Sequence, residues 1–205
     1  MLGEYFVNKC MSTTIETDPW PHQCIANTFP EDSFKKLKEC CENINIKTTE
    51  PKFIYLKDFK DYNIDFEDEL YSISEAILEN AKILCGQYPK WRWFENLGVN
   101  AHISITPPLP YKFYIHQEGL EKIWSSVTYV TPEKNVGTKM YTAQNEKAFI
   151  KEAVWKPNST FMFCGQRNET WHSYESNQTT NRFTLNLFLM KHSKQRNFYQ
   201  RHLYQ

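Results

Sequence analysis

A histidine and a carboxylate stand two positions apart at His116 and Glu118. Side chains i and i+2 of a β-strand share one face, so both groups could reach the same cation. Alone, this spacing is weak evidence, because a core histidine beside a surface glutamate gives the same pattern. A second histidine, His172, stands on a later predicted strand. Two histidines and one carboxylate would complete the set that holds one face of an octahedral Fe(II) and leaves positions open for a chelating cosubstrate and O2.

An arginine begins the segment 182–189, in which polar and apolar residues alternate. As a strand, this segment places Arg182, Thr184 and Asn186 on one face and apolar side chains on the other. A guanidinium that faces a buried interior requires an anion, and a carboxylate matches its two-pronged geometry. The competing interpretation is a solvated sheet face with Arg182 in water.

The elements that must position these residues follow from hydrophobic periodicity. Apolar stripes predict helices over 31–44 and 67–85, and short apolar segments predict early strands over 23–26 and 53–56. After Gly98 the period changes to two, and turn signals separate eight predicted strands. These strands cover 99–106, 111–118, 123–130, 138–142, 149–155, 160–164, 170–174 and 183–190. The order predicts a mainly β fold with supporting α-helices, a double-stranded β-helix (jelly roll) with the helices packed on one sheet.

The chain is predicted to form a single domain over residues 19–190. Residues 1–18 are polar and unpatterned, and they are expected to form a flexible N-terminal segment. The C-terminal tail, 191–205, carries basic residues and no acid. A solvated tail is one interpretation of this segment, and contact with phosphates or anionic lipid is the other.

The composition argues against several classes of protein. Lys and Arg number 24 and Asp and Glu number 24, so the formal net charge of the 205 residues is zero. A dedicated nucleic-acid binder would carry a basic excess, and no apolar segment of about 18 residues is present to span a membrane. The start of the chain lacks the basic and apolar regions of a signal peptide, which predicts a cytoplasmic location. No feature indicates an oligomeric state.

Other histidines and the cysteines receive simpler interpretations. The six cysteines include no CxxC pair, and in the predicted compartment they are expected to be free thiols. His22 follows Pro19-Trp20-Pro21 and is interpreted as structural. His102 lies on a predicted strand and is either a core histidine or a wall of the pocket.

The order of HxE, a distal histidine and then an arginine resembles the Fe(II)/2-oxoglutarate-dependent dioxygenases. The flanking residues carry more of this resemblance. Pro-Trp-Pro-His at 19–22 and Asn-Thr-Phe-Pro-Glu-Asp at 27–32 resemble the opening of prolyl-4-hydroxylase-like and phage or bacterial 2OG-Fe(II) oxygenases. The segment 122–130 and the turn 132–138 are similar to the strand and turn that follow the HxD/E motif of these proteins. The resemblance covers residues 19–190.

The resemblance implies a ligand set for iron. His116, Glu118 and His172 match the residues that bind Fe(II), and together with Arg182 they form the implied catalytic set. Glu118 departs from the commoner aspartate and is one methylene longer. An acid at this position excludes the halogenase variant of the family, in which a small residue makes room for halide.

The resemblance also implies how the cosubstrate is bound. Arg182 matches the residue that binds the distal carboxylate of 2-oxoglutarate, and Thr184 matches the hydroxyl beside it. Tyr129 matches a tyrosine that hydrogen-bonds the same cosubstrate in some members. Tyr114 is expected to share the face of His116 and to line the pocket.

The implied reaction is hydroxylation of a protein side chain or a small metabolite, with O2 consumed and succinate and CO2 released from 2-oxoglutarate. Nucleic-acid base demethylation is an alternative, but such enzymes carry a second arginine where this chain has Phe188, and the neutral charge also argues against it. A second alternative is a metal-free jelly-roll module for binding or for a virion. A Ni-, Mn- or Zn-loaded cupin-like isomerase is the third.

Overall fold

The computed structural model describes residues 2–88, 97–176 and 180–191. Within these ranges, four α-helices precede the first long strand: α1 (Leu2–Ser12), α2 (Glu31–Glu42), α3 (Glu67–Ser72) and α4 (Ser74–Cys85). Short 3-10 segments cover Leu56–Tyr62 and Glu146–Ala148. The strands are β1 (His22–Ala26), β2 (Lys52–Tyr55), β3 (Leu97–Thr106), β4 (Tyr111–Lys112), β5 (Lys122–Thr131), β6 (Thr138–Tyr141), β7 (Phe149–Ala153), β8 (Ser159–Cys164), β9 (Trp171–Ser176) and β10 (Arg182–Lys191).

The strands form two antiparallel sheets. The larger sheet has six strands in the order β1-β8-β5-β10-β3-β2, and the smaller has four in the order β4-β9-β6-β7. Neighbouring strands are mostly distant in sequence, so the sheets are built from long-range pairings. The prediction of a mainly β protein with supporting helices is confirmed at this level.

Strand β10 lies at the centre of the larger sheet, between β5 and β3. Its apolar residues, Leu185 and Leu187 among them, face the main hydrophobic core. The polar residues of the alternate face are also buried, and Arg182 is only 2% exposed. The interpretation of this face as solvated is therefore wrong, because the second sheet covers it.

Helices α2 and α4 pack against the larger sheet at its central strands, and α1 and α3 pack on α4. Leu37 and Cys41 of α2 are fully buried, as the predicted apolar stripe requires. The helix predicted over 67–85 is interrupted at Ile73, which has a φ of −100° and a ψ of −2°. The hydroxyl of Ser74 donates to the carbonyl of Tyr71 at this break, 2.8 Å away. None of the helices in the described residues is long and apolar enough to span a membrane.

The expectation of a flexible N-terminal segment is wrong for residues 2–12, which form helix α1. Phe6 and Cys10, one turn apart, are 1% and 4% exposed and belong to the main core. Gly3 allows α1 to approach α3 closely, because a Cβ at this position would stand 2.3 Å from the carbonyl oxygen of Ser72. The predicted C-terminal tail lies outside the described residues beyond Lys191.

Candidate active site

The two predicted histidine ligands are paired neighbours at the smaller sheet. His172 lies on β9, and His116 pairs with it through two backbone hydrogen bonds of 3.0 and 2.9 Å. The two imidazole rings are 4.2 Å apart between centroids and tilted by 51°. The structure therefore brings together two residues that are far apart in the sequence.

The segment before His116 is not a regular strand, although the sequence predicts one over 111–118. Phe113 hydrogen-bonds to Tyr174, and His116 hydrogen-bonds to His172. The chain therefore advances three residues from Phe113 to His116 while the paired strand β9 advances only two. The extra residue is a bulge, and it changes which side chains share a face. Tyr114 is consequently 65% exposed and lies outside the cavity, whereas Phe113 lines it. The prediction that Tyr114 lines the pocket is wrong.

Both imidazoles are held in one orientation by main-chain carbonyls. Nδ1 of His116 lies 3.0 Å from the carbonyl of Tyr114, and Nδ1 of His172 lies 3.0 Å from that of Thr170. A carbonyl only accepts, so each Nδ1 carries the proton and donates it. Each Nε2 is left with a lone pair, which is the form that binds a metal.

Glu118 lies in the loop that enters β5 and completes the predicted ligand set. Its Oε1 is 3.9 Å from Nε2 of His172, and its Oε2 accepts a hydrogen bond of 2.8 Å from Lys122. The side chain of Glu118 is only 8% exposed. The ligand atoms of the triad do not all lie within 4.8 Å of one another, so a metal would have to draw the side chains inward.

The charges of these groups suit a cation. Burial lowers the pKa of His172 to about 4, with a further contribution from His116, and burial also lowers the pKa of His116. Both imidazoles are therefore neutral at pH 7. Burial alone would raise the pKa of Glu118, but His172 and Lys122 outweigh it and hold the pKa below its ordinary value. The set offers two neutral nitrogens and one carboxylate.

Arg182 lies in the same cavity and is stacked between two aromatic rings. The guanidinium carbon is 4.7 Å from the ring centroids of both Trp155 and Tyr174. No carboxylate pairs with Arg182 among the described residues, and its Nε has no hydrogen-bond partner there. Thr184 is 1% exposed, lines the cavity beside Arg182, and accepts a 3.2 Å hydrogen bond from Asn186.

Tyr129, the residue expected to hydrogen-bond the cosubstrate, is buried and stands behind the cavity wall. Its hydroxyl donates to Oγ1 of Thr138 at 3.1 Å and accepts from the backbone N–H of Thr138 at 3.0 Å. Thr138, rather than Tyr129, lines the cavity. The ring of Tyr129 stacks on Trp155 at 4.6 Å, so it supports the ring that holds Arg182.

The cavity has a volume of about 300 Å³ and contains residues that the sequence did not single out. Lys122 binds Glu118 and also lies 3.9 Å from the ring centroid of Phe188. An i,i+4 acid–lysine spacing was visible, but outside a helix that spacing predicts no contact. His102 proves to be a wall of the pocket, with its ring 5.2 Å from that of Phe188.

These residues fit an Fe(II) ion together with a dicarboxylic cosubstrate. The neutral Nε2 atoms of His116 and His172 and the carboxylate of Glu118 form the donor set that suits non-haem Fe(II). The buried guanidinium of Arg182 has no carboxylate partner in the described part of the chain. It fits the carboxylate of a second ligand, because a buried cation without an anion is costly.

Comparison with known proteins gives structural neighbours only. No family model and no curated protein matches the sequence. A prolyl hydroxylase from Trichoplax adhaerens, in complex with a hypoxia inducible factor peptide, is similar with a TM-score of 0.61 and 12% identity. The comparison covers 92% of this chain and 89% of that one.

Two further structures agree. A prolyl 4-hydroxylase from Phytophthora capsici has a TM-score of 0.60 and 14% identity over 92% of this chain, which spans only 65% of that protein. The 2OG complex of a viral collagen prolyl hydroxylase from Paramecium Bursaria Chlorella virus-1 has a TM-score of 0.54 and 11% identity, over 86% of this chain and 99% of that one. The chain therefore has the fold of the prolyl hydroxylases.

Proposed function

We propose that this protein is a non-haem Fe(II)- and 2-oxoglutarate-dependent oxygenase that hydroxylates a protein side chain or a small metabolite and releases succinate and CO2. The buried guanidinium of Arg182 is the observation that carries the proposal. It lines the same cavity as the triad His116, Glu118 and His172, and no carboxylate neutralises it within the described residues. A dicarboxylic cosubstrate supplies the missing anion.

Each side chain then has a defined task. His116 and His172 hold the metal through Nε2, and Glu118 supplies the one anionic ligand. Bound there, Fe(II) would supply the chemistry that couples oxidative decarboxylation of 2-oxoglutarate to oxidation of a C–H bond. Arg182 and Thr184 bind the far carboxylate of the cosubstrate and fix its direction. The two sheets would form the jelly-roll scaffold on which both ends of the cosubstrate are held.

The residues at the rim of the cavity favour a substrate with an apolar group. Phe53 and Tyr55 of β2 line the cavity and are 40% and 42% exposed, and their rings lie 5.1 and 5.5 Å from that of His102. Three aromatic rings at a cavity mouth favour contact with an aliphatic ring or chain. Peptidyl proline is therefore the first substrate to test, since the neighbours named above are prolyl hydroxylases.

The direct test separates cosubstrate binding from turnover. Anaerobic protein is titrated with Fe(II) and 2-oxoglutarate, and the metal-to-ligand charge-transfer band in the visible spectrum reports chelation. Air is then admitted with proline-containing peptides, free proline or other metabolites, and succinate is measured. We expect the band in the wild type, and succinate release that rises with the correct substrate.

Single substitutions test which side chains bind the cosubstrate and the metal. Arg182→Gln should weaken 2-oxoglutarate binding by a hundredfold or more, since about 3 kcal/mol is lost with a buried charge-assisted pair. Arg167→Gln removes an exposed arginine and serves as the matched control. His172→Ala should abolish the band. Absence of the band in the wild type, or 2-oxoglutarate binding that is unchanged in Arg182→Gln and His172→Ala, would overturn the proposal in favour of a non-enzymatic binding or virion module.

A further inference from the structure

A second cluster of metal-ligating side chains lies outside the candidate active site. The ligand atoms of Glu16, His22 and Cys24 all lie within 4.8 Å of one another. They meet beside a cavity of about 300 Å³ that is separate from the one around Arg182, with Phe161 and Met140 in its wall. The cluster is independent of the proposed oxygenase function.

The backbone explains why these three residues converge. His22 and Cys24 are alternate residues of β1 and therefore share a face. Glu16 is paired directly with His22 in an antiparallel bridge, and both of its backbone hydrogen bonds measure 2.9 Å. Residues opposite each other in such a bridge place their side chains side by side.

His22 provides a second and independent sign of a ligand. The residue is 0% exposed, and its Nδ1 donates to the carbonyl of Trp20 at 2.8 Å. Its Nε2 has no hydrogen-bond partner among the residues that the structure describes, and it lies 3.8 Å from Oε2 of Glu16. A buried nitrogen with an unused lone pair is costly, so this atom favours a ligand.

We propose that Glu16, His22 and Cys24 form a second metal site that takes a borderline divalent cation, of which Zn(II) fits best. An imidazole, a thiolate and a carboxylate are all ligands of Zn(II), and three protein ligands leave its fourth position to water. Ligands of a tetrahedral Zn(II) stand about 3.5 Å apart, so the side chains must close in slightly. Glu16 and Cys24 are exposed, so their side chains can make this movement without repacking the core.

Binding requires a proton to leave Cys24. An ordinary cysteine has a pKa of about 8.5, so the S–H bond is intact in the metal-free protein at pH 7. On binding, that bond breaks, the proton passes to water, and the thiolate sulfur bonds to the cation. No oxidant or reductant is needed.

Lys151 competes with the metal. Its Nζ donates a 2.6 Å hydrogen bond to Oε2 of Glu16, and its charge would repel a divalent ion. Replacing the lysine by Met removes both effects. We expect Lys151→Met to bind the metal roughly three- to tenfold more tightly than the wild type.

Cobalt(II) is the probe of choice because it distinguishes the two sites. Full-length protein is titrated with Co(II), and the thiolate-to-cobalt charge-transfer band in the near ultraviolet is recorded. The triad around His172 contains no sulfur and gives no such band. We expect the band in the wild type, its loss in Cys24→Ser, its persistence in His172→Ala, and its displacement by Zn(II).

Cys40→Ser is the matched control, since this partly exposed cysteine lies on α2 away from the cluster. Glu16→Gln tests an exposed ligand and avoids the folding risk of changing the buried His22. It should weaken Co(II) binding about tenfold or more without loss of the fold seen by circular dichroism. A wild-type protein without the thiolate band, or a band that survives Cys24→Ser, would overturn the proposal, and either result would leave the oxygenase assay unaffected.

Discussion

Lys122 binds the carboxylate of Glu118 through a 2.8 Å hydrogen bond between Nζ and Oε2. The pair neutralises a buried carboxylate in the metal-free protein, and it leaves Oε1 on the side of His172. Lys122 therefore binds one oxygen of the Glu118 carboxylate, and the other oxygen is left for a metal. The ammonium of Lys122 supplies part of the positive charge that a bound metal would supply.

This arrangement predicts the behaviour of Lys122→Met. Without metal, the variant should lose about 1–3 kcal/mol of unfolding free energy, because Glu118 is left buried and unpaired. Added Mn(II) should then stabilise the variant more than the wild type, since the cation replaces the missing partner. Thermal unfolding with and without Mn(II) measures both effects.

Lys36→Met is the control for that experiment, because Lys36 bonds Glu69 at 3.0 Å on the helical side of the molecule. It should change stability without changing the shift caused by Mn(II). An equal Mn(II) shift in Lys122→Met and the wild type would contradict the role given to Lys122.

Trp155 should affect cosubstrate affinity although no bound cosubstrate need touch it. Its ring lies 4.7 Å from the guanidinium carbon of Arg182, and its indole N–H donates to the carbonyl of Pro132 at 2.8 Å. Trp155→Leu removes the cation–π contact that holds the guanidinium in place. Binding must then fix the guanidinium at a cost of about 1–2 kcal/mol, so we expect about five- to thirtyfold weaker 2-oxoglutarate binding. Anaerobic titration measures this, and Trp155→Phe, which retains a ring, should show a smaller loss.

His102 should make the protein sensitive to acid. Burial, followed by the charge of Lys122, lowers its pKa to about 4 in the folded state, below the value of about 6.5 in an unfolded chain. The unfolded state therefore takes up the proton first, and stability falls as the pH decreases from about 6.5 towards 4. His102→Phe keeps the aromatic packing with Phe53 and removes this contribution.

Urea unfolding provides the measurement for His102→Phe. The variant should lose less stability than the wild type between pH 7.5 and pH 5, whereas both should respond alike between about pH 7.5 and 8.5, where no histidine titrates. Parallel losses of stability on the acid side would show that His102 does not carry the effect.

Helix α1 should be part of the folded core. Phe6 is 1% exposed, and its ring lies 6.4 Å from that of Phe29. Phe6→Ala should lower the free energy of unfolding by about 3 kcal/mol or more, because it opens a cavity. Met11→Ala, at a position that is 64% exposed, should change it by less than about 0.5 kcal/mol. Similar stabilities of the two variants would restore the view of a flexible N-terminal segment.

The sequence predicted the strands well because their two-residue alternation is a local property, and β10 with Arg182 and Thr184 is the clearest case. It failed where the structure depends on contacts between distant segments. Only two buried residues mark α1, and nothing local reveals the close approach of Gly3 to Ser72. The break at Ile73 likewise interrupts an apolar stripe that continues on both sides.

The candidate site was likewise predictable where the sequence pattern is local, and unpredictable where it depends on contacts between distant segments. The positions of His116, Glu118, His172 and Arg182 in one cavity agree with the sequence pattern. The bulge before His116 could not be predicted, because one extra residue leaves the alternation of residue types unchanged while it reverses which face Tyr114 occupies. The proximity of Glu16 to His22 comes from a backbone bridge across a turn, and no residue spacing signals it.

The two halves of the candidate site belong to different sheets. His116 and His172 are joined to the four-stranded sheet, and Arg182 and Thr184 are fixed in β10 of the six-stranded sheet. A ligand that engages both halves would link the two sheets without a covalent bond. Its binding should slow amide hydrogen exchange in β9 and β10 together. The protection of both strands from exchange should therefore increase with the fraction of protein that holds the ligand.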